Sequence, residues 1–417
     1  MKKIKEKFYQ FLRWTEKYTK TDMVYFFEGS FWWIFGRVFS FLASFLLFFV
    51  FGRFVSKEIF GIYQYVLSMA GILGLFSLGG INTALIRAIA KGIEGSFLPA
   101  MKERFKFGML GSFFSFLISL WYFLHGNYIL GTSFLILGIF LPFLATFASY
   151  GIFWQGKKRF DVQNKYFVFQ NFLAVFILIC FILLFRENAI LIVFGYFFAF
   201  TISELIFFLK TIKNIKNIRD THIEKETISF GKHLTIMMIP TTFSLQIDKV
   251  ILWQFLGPVQ LAIYTFGLRI VQRISEIVPF SALALPKLSE RDVRKIKRGI
   301  LEKFLKLFLI SIPLTLIYVL ICPLFFKIFF PAYLDSVPYS QVLSLILLFS
   351  PFSFLATSFL AEAKKRELYI LNFAPQILKI VLFFVLIPLF GIWGAVFSIL
   401  ISQIFYSALT LYLFKKL

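Results

Sequence analysis

Arg269, Arg273 and Glu276 fall within TFGLRIVQRISEIVPF, residues 265 to 280, inside one of the longest apolar regions of the chain. Spacings of four and three put all three on one face of a helix. Guanidinium forks match phosphate oxygens two at a time, so the chemistry on offer is recognition of an anion. A salt bridge between Arg273 and Glu276 that ties helices together is the competing account. Arg37 stands in similar surroundings, in GSFWWIFGRVFSF, with Glu28 just before it. It either lines a cavity or reaches the membrane surface along its aliphatic stem. Asp248 and Lys249 are neighbours in FSLQIDKVILWQF, about 100° apart around a helix, so they are expected to serve different partners. Asp248 is a candidate for pairing with Arg269, Arg273 or Lys379, or for binding a coupling proton or cation. Lys379 shares its apolar segment with Asn372 and Gln376.

Bond-making chemistry has no comparable signature. The chain shows no nucleophile-base pair, Gly-rich phosphate loop or metal motif. His125, His222 and His233 are scattered, and Cys180 and Cys322 sit in apolar runs where packing is the simplest role. Neither an enzyme nor a bound cofactor is expected. Without an ATP-binding loop, the energy of any transport would come from a sodium or proton gradient, or from removal of product on the far side.

The elements that must position these charges are membrane helices. The chain has 417 residues, is 59% hydrophobic and 16% charged, and contains 62 Phe; its mean hydropathy is +0.83. A soluble domain needs far less apolar material to fill its core. No short apolar segment with a small-residue cleavage site opens the chain, so the first span is expected to persist. A bilayer core requires about 20 apolar residues per helix. Twelve windows meet that requirement: 31–51, 61–81, 107–125, 129–153, 167–185, 189–209, 233–256, 260–284, 304–326, 341–361, 367–388 and 391–413.

Charge fixes the expected orientation. With both termini cytoplasmic, only Arg53, Lys57, Arg186 and Lys327 of the 44 Lys and Arg fall outside, and Arg37, Lys249, Arg269, Arg273 and Lys379 fall within spans. All the others lie on the cytoplasmic side, as the positive-inside rule requires. The net charge of +23 therefore reads as topology and attraction to anionic headgroups, with no nucleic-acid partner.

Four regions follow. Residues 1–30 form a basic arm in which Ile4, Phe8, Phe11 and Leu12 recur at helical spacing, as in a helix lying on the inner leaflet. Residues 31–209 form a lobe of six spans, 210–228 a cytoplasmic linker, and 229–417 a second lobe. FVSKEIFGIYQY from Phe54 resembles FLGPVQLAIYTF from Phe255, an offset near 200 residues. Halves with an even number of spans share an orientation and leave a cavity between them. Pro240, Pro279, Pro313, Pro323, Pro351 and Pro375 interrupt the later spans and predict kinks there.

At the level of motifs, FGRFVSKEIFGIYQYVLSMAGILGLFSLGGINTALIRAIAKG (51–92) resembles the segment after the first span of the Wzx-type lipid-linked oligosaccharide flippases. These belong to the multidrug/oligosaccharidyl-lipid/polysaccharide exporter (MOP) superfamily, with the MATE transporters and lipid II flippases. The matching elements are Gly61, Tyr63, the run Gly71 to Gly80, and Arg87. IDKVILWQFLGPVQLAIYTFGLRI (247–270) is similar to the corresponding segment of the second half, and ALPKLSE (284–290) to its exit. The resemblance implies an all-α membrane protein of about twelve helices, in a V-shaped pair of six-helix lobes around a central cavity. It further implies flipping of an isoprenyl-diphosphate-linked oligosaccharide to the outer leaflet by alternating access, for cell-surface polysaccharide or glycoconjugate synthesis. Cavity arginines on the first and eighth spans hold the diphosphate in relatives that flip the peptidoglycan precursor, which assigns that role to Arg37 and to Arg269 or Arg273. Some of those relatives bind sodium through acids on the seventh and eleventh spans. Here Asp248 stands on the seventh, while the eleventh offers Asn372, Gln376 and Lys379, a departure that weakens the case for sodium.

Two other functions fit the outline. A MATE-like drug or cation antiporter would favour buried carboxylates, whereas the span charges here are mostly basic. A membrane oligosaccharide polymerase or glycosyltransferase would place acids or His on a long outer loop, and the largest outer loop expected, 327–340, holds only Asp335. The expected partners are the lipid-linked oligosaccharide and membrane lipids, with a polysaccharide polymerase or glycosyltransferases as further candidates.

Overall fold

The computed structural model describes residues 23–215, 225–275, 297–362 and 364–416, with the backbone alone at 23–35, 37 and 225–226. Most of the expected arm, the middle of the linker, Glu276, Pro279 and the ALPKLSE motif lie outside the described residues.

Ten helices among the described residues are long and apolar enough to cross a bilayer. One of them, Thr227–Ser275, has 49 residues, or about 73 Å at 1.5 Å per residue, more than twice a core of about 30 Å. It is two passes. Gly257 has φ 78°, and the Tyr264 hydroxyl donates to Asp248 Oδ2 at 2.6 Å, although sixteen residues of straight helix would part them by about 24 Å. The chain reverses at the glycine, where a side chain would be strained. The first helix, Met23–Phe54, adds the remaining pass through its apolar part, Val38–Phe54. The described residues form an all-α integral membrane protein with twelve spans in two six-helix lobes, as composition and spacing predict.

Span 1 is Met23–Phe54; span 2 runs from Lys57–Leu73 through Ile81–Ala90; span 3 is Phe97–Leu124; span 4 is Tyr128–Phe147 extended by Tyr150–Gly156. Spans 5 and 6 are Phe160–Leu184 and Ala189–Ile212. Lys225–Ser244 and the part of Ile247–Ser275 before Gly257 form span 7, and the part after it forms span 8. Spans 9 to 12 are Lys297–Phe329, Pro331–Ala361, Lys365–Phe390 and Ile392–Lys416.

Turns alternate between two rims. One holds residues 55–56, 125–127, 185–188, 257, 330 and 391, and is called here the Gly257 rim. The other carries Lys91, Lys157, Lys158, Arg159, Lys213 and Lys364, and is the basic rim. At the Gly257 rim local sequence starts the helices: Ser56 Oγ, Asn127 Oδ1 and Asn188 Oδ1 each accept from the backbone N–H three residues on, at 3.3, 3.0 and 3.1 Å. Each satisfies a donor that a helix N-terminus otherwise leaves orphaned. Lipid-facing positions are large and apolar, such as Leu320 at 77% and Leu124 at 76% exposure, while small residues let spans 3 and 4 approach, with Ser115 and Ser119 donating to Phe134 O and Gly131 O.

Two expectations need correction. The second span, expected to be continuous over 61–81, breaks: a 3-10 turn at Gly74–Ser77 is followed by Leu78 at φ 53° before the helix resumes at Ile81. The cause lies at Gly80, which comes so close to span 7 that an added Cβ would sit 2.4 Å from Thr235 N. The tenth span, expected at 341–361, starts at Pro331 and is built of short pieces ending in Phe352–Ala361, so most of the expected outer loop is structured. Pro351 stands at its last break, and Pro240, Pro313, Pro323 and Pro375 lie inside helices that continue past them.

Candidate functional site at the interface of the lobes

A cavity of about 840 Å³ lies between the lobes. Span 2 gives it Gln64 and Ser68, span 3 Arg104, span 6 Tyr196 and Glu204, span 7 Gln246 and Lys249, and span 8 Arg269 and Gln272. Its charged lining is thus three cations and one carboxylate. A second space of about 550 Å³ opens between spans 1, 8 and 9, lined by Phe41, Phe45, Phe48, Leu314, Tyr318 and Phe325 among others. Arg269 borders both spaces. Arg273, one turn further on, borders only the apolar one.

Both arginines reach across to the first lobe. Arg269 Nη2 donates to Gln64 Oε1 of span 2 at 3.3 Å, and Arg273 Nη2 donates to Ser44 Oγ of span 1 at 3.4 Å. Of the other residues proposed for the anion site, Arg37 has its backbone in span 1 and its side chain outside the described part, and Glu276 lies outside the described residues.

Asp248 and Lys249 meet each other, a contact that their offset around the helix does not suggest. Lys249 Nζ lies 3.3 Å from Asp248 Oδ1 and donates to Leu245 O at 2.7 Å, because its four-carbon stem curls back one helical turn. Asp248 also accepts from Tyr264, and both charges are buried, at 3% and 8% exposure. Lys379 lies within electrostatic range of the pair, Gln376 Oε1 accepts from Ser244 Oγ at 2.5 Å, and Asn372 is exposed and not part of the cavity lining. Breaking a buried pair leaves the surviving charge uncompensated, at a cost of about 3 kcal/mol or more. Asp248→Ala should therefore lower the melting temperature in detergent sharply, and adding Lys249→Met should recover most of the loss. A double variant no more stable than the single would rule the pairing out.

Arg104 and Glu204 were missed. Arg104 Nη1 donates to Asn82 and, at 2.9 Å, to Ser149 Oγ, and it sits seven residues inside span 3. In sequence it merges with the basic loop before it. Glu204 had a signal, as the only charged residue between 189 and 209.

The lobes meet on both sides of the cavity. At the Gly257 rim, Lys57 Nζ and Asp335 Oδ2 are 2.5 Å apart, Arg53 Nη2 donates to Ile328 O at 2.5 Å, and an aromatic plug forms: Phe266 stacks on Tyr333 at 3.5 Å and on Phe48 at 4.0 Å, with Phe60 at 4.9 Å. The two repeated segments touch here, since a Cβ on Gly61 would lie 2.0 Å from Pro258 O. Toward the basic rim, Gly80 N–H donates to Thr235 Oγ1 at 3.0 Å, and a Cβ on Gly231 would lie 2.9 Å from Ile81 Cα. The Lys57–Asp335 side chains are 26% and 63% exposed, which limits the pair to about 1 kcal/mol. Lys57→Ala should leave unfolding unchanged and raise labelling of a Ser336→Cys reporter, buried beside the plug, in a background without Cys180 and Cys322, by no more than about fivefold. A larger change would make the ion pair, not the plug, the main closure.

Comparison with solved structures places this architecture among known transporters. The lipid II flippase MurJ in an inward closed conformation superposes with a TM-score of 0.67 at 15% identity, covering 93% of this chain and 87% of that one. An outward-facing multidrug resistance MATE family transporter of the MOP superfamily gives 0.60 at 14% identity, covering 92% and 93%. A MOP superfamily transporter from Pyrococcus furiosus, described by a reversed polarity of its binding pocket, gives 0.57 at 14% identity, covering 91% and 94%. These likenesses show the fold. Among curated proteins nothing matches. The family described as "Polysaccharide biosynthesis protein" matches residues 26–292, well over half of the sequence, and the chain belongs to that family.

Proposed function

We propose that this membrane transporter is a flippase that carries an isoprenyl-diphosphate-linked oligosaccharide from the cytoplasmic to the outer leaflet of the cell membrane by alternating access. The observation that carries this reading is the place of Arg269, at the border between a polar cavity and an apolar groove. An amphiphile whose sugar occupies the cavity and whose tail occupies the groove has its diphosphate at that border. A guanidinium there offers paired donors to phosphate oxygens. Arg273, along the groove, and Arg37, on the facing span, are assigned to the same anion.

The positive-inside rule makes the basic rim and both termini cytoplasmic, with the arm (1–30) on the inner leaflet, lobes at 31–209 and 229–417, and the linker at 210–228 between them. Asp248, Lys249 and Lys379 are assigned a structural pairing in preference to sodium or proton coupling, since the carboxylate already has its partners. A MATE-like cation antiporter is disfavoured by the positive balance of the lining. The product would pass to a polysaccharide polymerase or glycosyltransferases.

The test is a proteoliposome assay with a fluorescent polyprenyl-diphosphate oligosaccharide, read by a membrane-impermeant quencher. Protein-dependent flipping is expected. Absence of flipping together with uptake of a cationic dye would favour the antiporter.

A further inference from the structure

We propose that Glu204 recognises the saccharide end of the cargo, accepting hydrogen bonds from hydroxyl or amide N–H groups of the first sugar, with Arg104 as its companion donor. This rests on the function proposed above and deepens it. Glu204 stands eight residues from the end of span 6 at Ile212, about 12 Å inside the basic rim. An ionisable group at such depth has a partner or a functional reason. Glu204 lines the cavity, its Oε2 is buried, and no described residue donates a hydrogen bond to it. Arg104 on span 3 lines the same cavity at a similar height, and its Nε is buried without an acceptor. The two charges feel each other, yet among the described residues no ion pair within 4 Å joins them.

The wall therefore holds an acceptor lacking a donor and a donor lacking an acceptor. A metal ion would answer the carboxylate alone and would meet the charge of Arg104; no three His, Cys, Asp or Glu converge among the described residues. Neighbouring hydroxyls of a sugar both donate and accept, and so answer both groups. Both residues line the cavity, so a rotation of each side chain is enough to bring its covered atom to a sugar held there. The neighbouring surface fits the same ligand. Tyr196, Phe200 and Glu204 recur every four residues on one face of span 6, and the Tyr196 and Phe200 rings, 4.6 Å apart and inclined at 38°, add aromatic lining to the cavity that suits the C–H face of a pyranose. Gln64 and Ser68 face them from span 2.

Binding to purified protein in nanodiscs tests the inference with two probes: a polyprenyl diphosphate without sugar, and the same lipid bearing one N-acetylhexosamine. The wild type should bind the sugar-bearing lipid more tightly. Glu204→Gln should lose about tenfold for that lipid, the scale of a hydrogen bond to a charged group, and leave the bare lipid unchanged; Glu204→Ala should follow the same pattern. Arg269→Ala should weaken both. Equal weakening of both lipids by Glu204→Gln, no change, no advantage of the sugar in the wild type, or an effect visible only on changing pH or sodium would each overturn the inference. A bare lipid that fails to bind the wild type would remove the diphosphate site instead, and a Glu204-dependent sugar effect would survive that result.

Discussion

Arg269→Ala should lower flipping in proteoliposomes by about 100-fold while the protein still inserts and unfolds at nearly the wild-type temperature. Two charge-assisted hydrogen bonds to a diphosphate, each worth about 1.5 kcal/mol or more, account for that factor. Arg269→Lys should recover part of the rate, because an ammonium keeps the charge and loses the planar fork. Stability should hardly move, since the side chain is half-buried and Gln64, to which it donates across the lobes, is neutral. Wild-type flipping in the alanine variant would exclude the anion site, whereas a collapse in stability would make the residue structural. Arg273→Ala should have the smaller effect, as Arg273 borders only the apolar groove.

Gly61→Ala should be nearly as damaging by a different route. The added methyl would lie 2.0 Å from the Pro258 carbonyl oxygen, backbone of the opposite lobe that has no rotamer to offer. Closure of the Gly257 rim should fail, and the population should shift toward the state open there. Spin labels at Arg53 and Ile328, which now touch through Arg53 Nη2 and Ile328 O, should report a longer distance across the rim, and flipping should drop by at least tenfold. Cargo binding to the detergent-solubilised protein should survive, because Gly61, one turn before Gln64, is not itself part of the cavity lining. An unchanged distance would show that the rim relaxes around a methyl group, and would sink this account of closure.

Much of this was legible in the sequence because the bilayer imposes a strict length and a strict charge asymmetry. The twelve windows and the repeat from Phe54 and Phe255 needed no tertiary knowledge, and the repeated segments prove to be the surfaces that meet at Gly61 and Pro258. Arg269 was legible too, because a guanidinium amid apolar residues requires a hydrated neighbour. Arg104 was hidden by its basic surroundings, since nothing local separates a loop charge from one that begins a span. The break at Gly74–Leu78 was hidden as well: a glycine-rich helix and a glycine-rich seam read alike, and only the approach of Thr235 to Gly80 decides between them.

The two contacts between the lobes differ in kind, and temperature acts on them differently. The plug of Phe48, Phe60, Phe266 and Tyr333 exposes apolar surface to water when it opens, so that step carries a positive heat-capacity change and loosens on cooling. The glycine seam at Gly80 and Gly231 has no aromatic plug and is held in part by the Gly80 N–H donating to Thr235 Oγ1, a bond without that signature. Cooling alone thus tilts the resting equilibrium toward the face that the aromatic rings guard, a bias built into the choice of materials at each end.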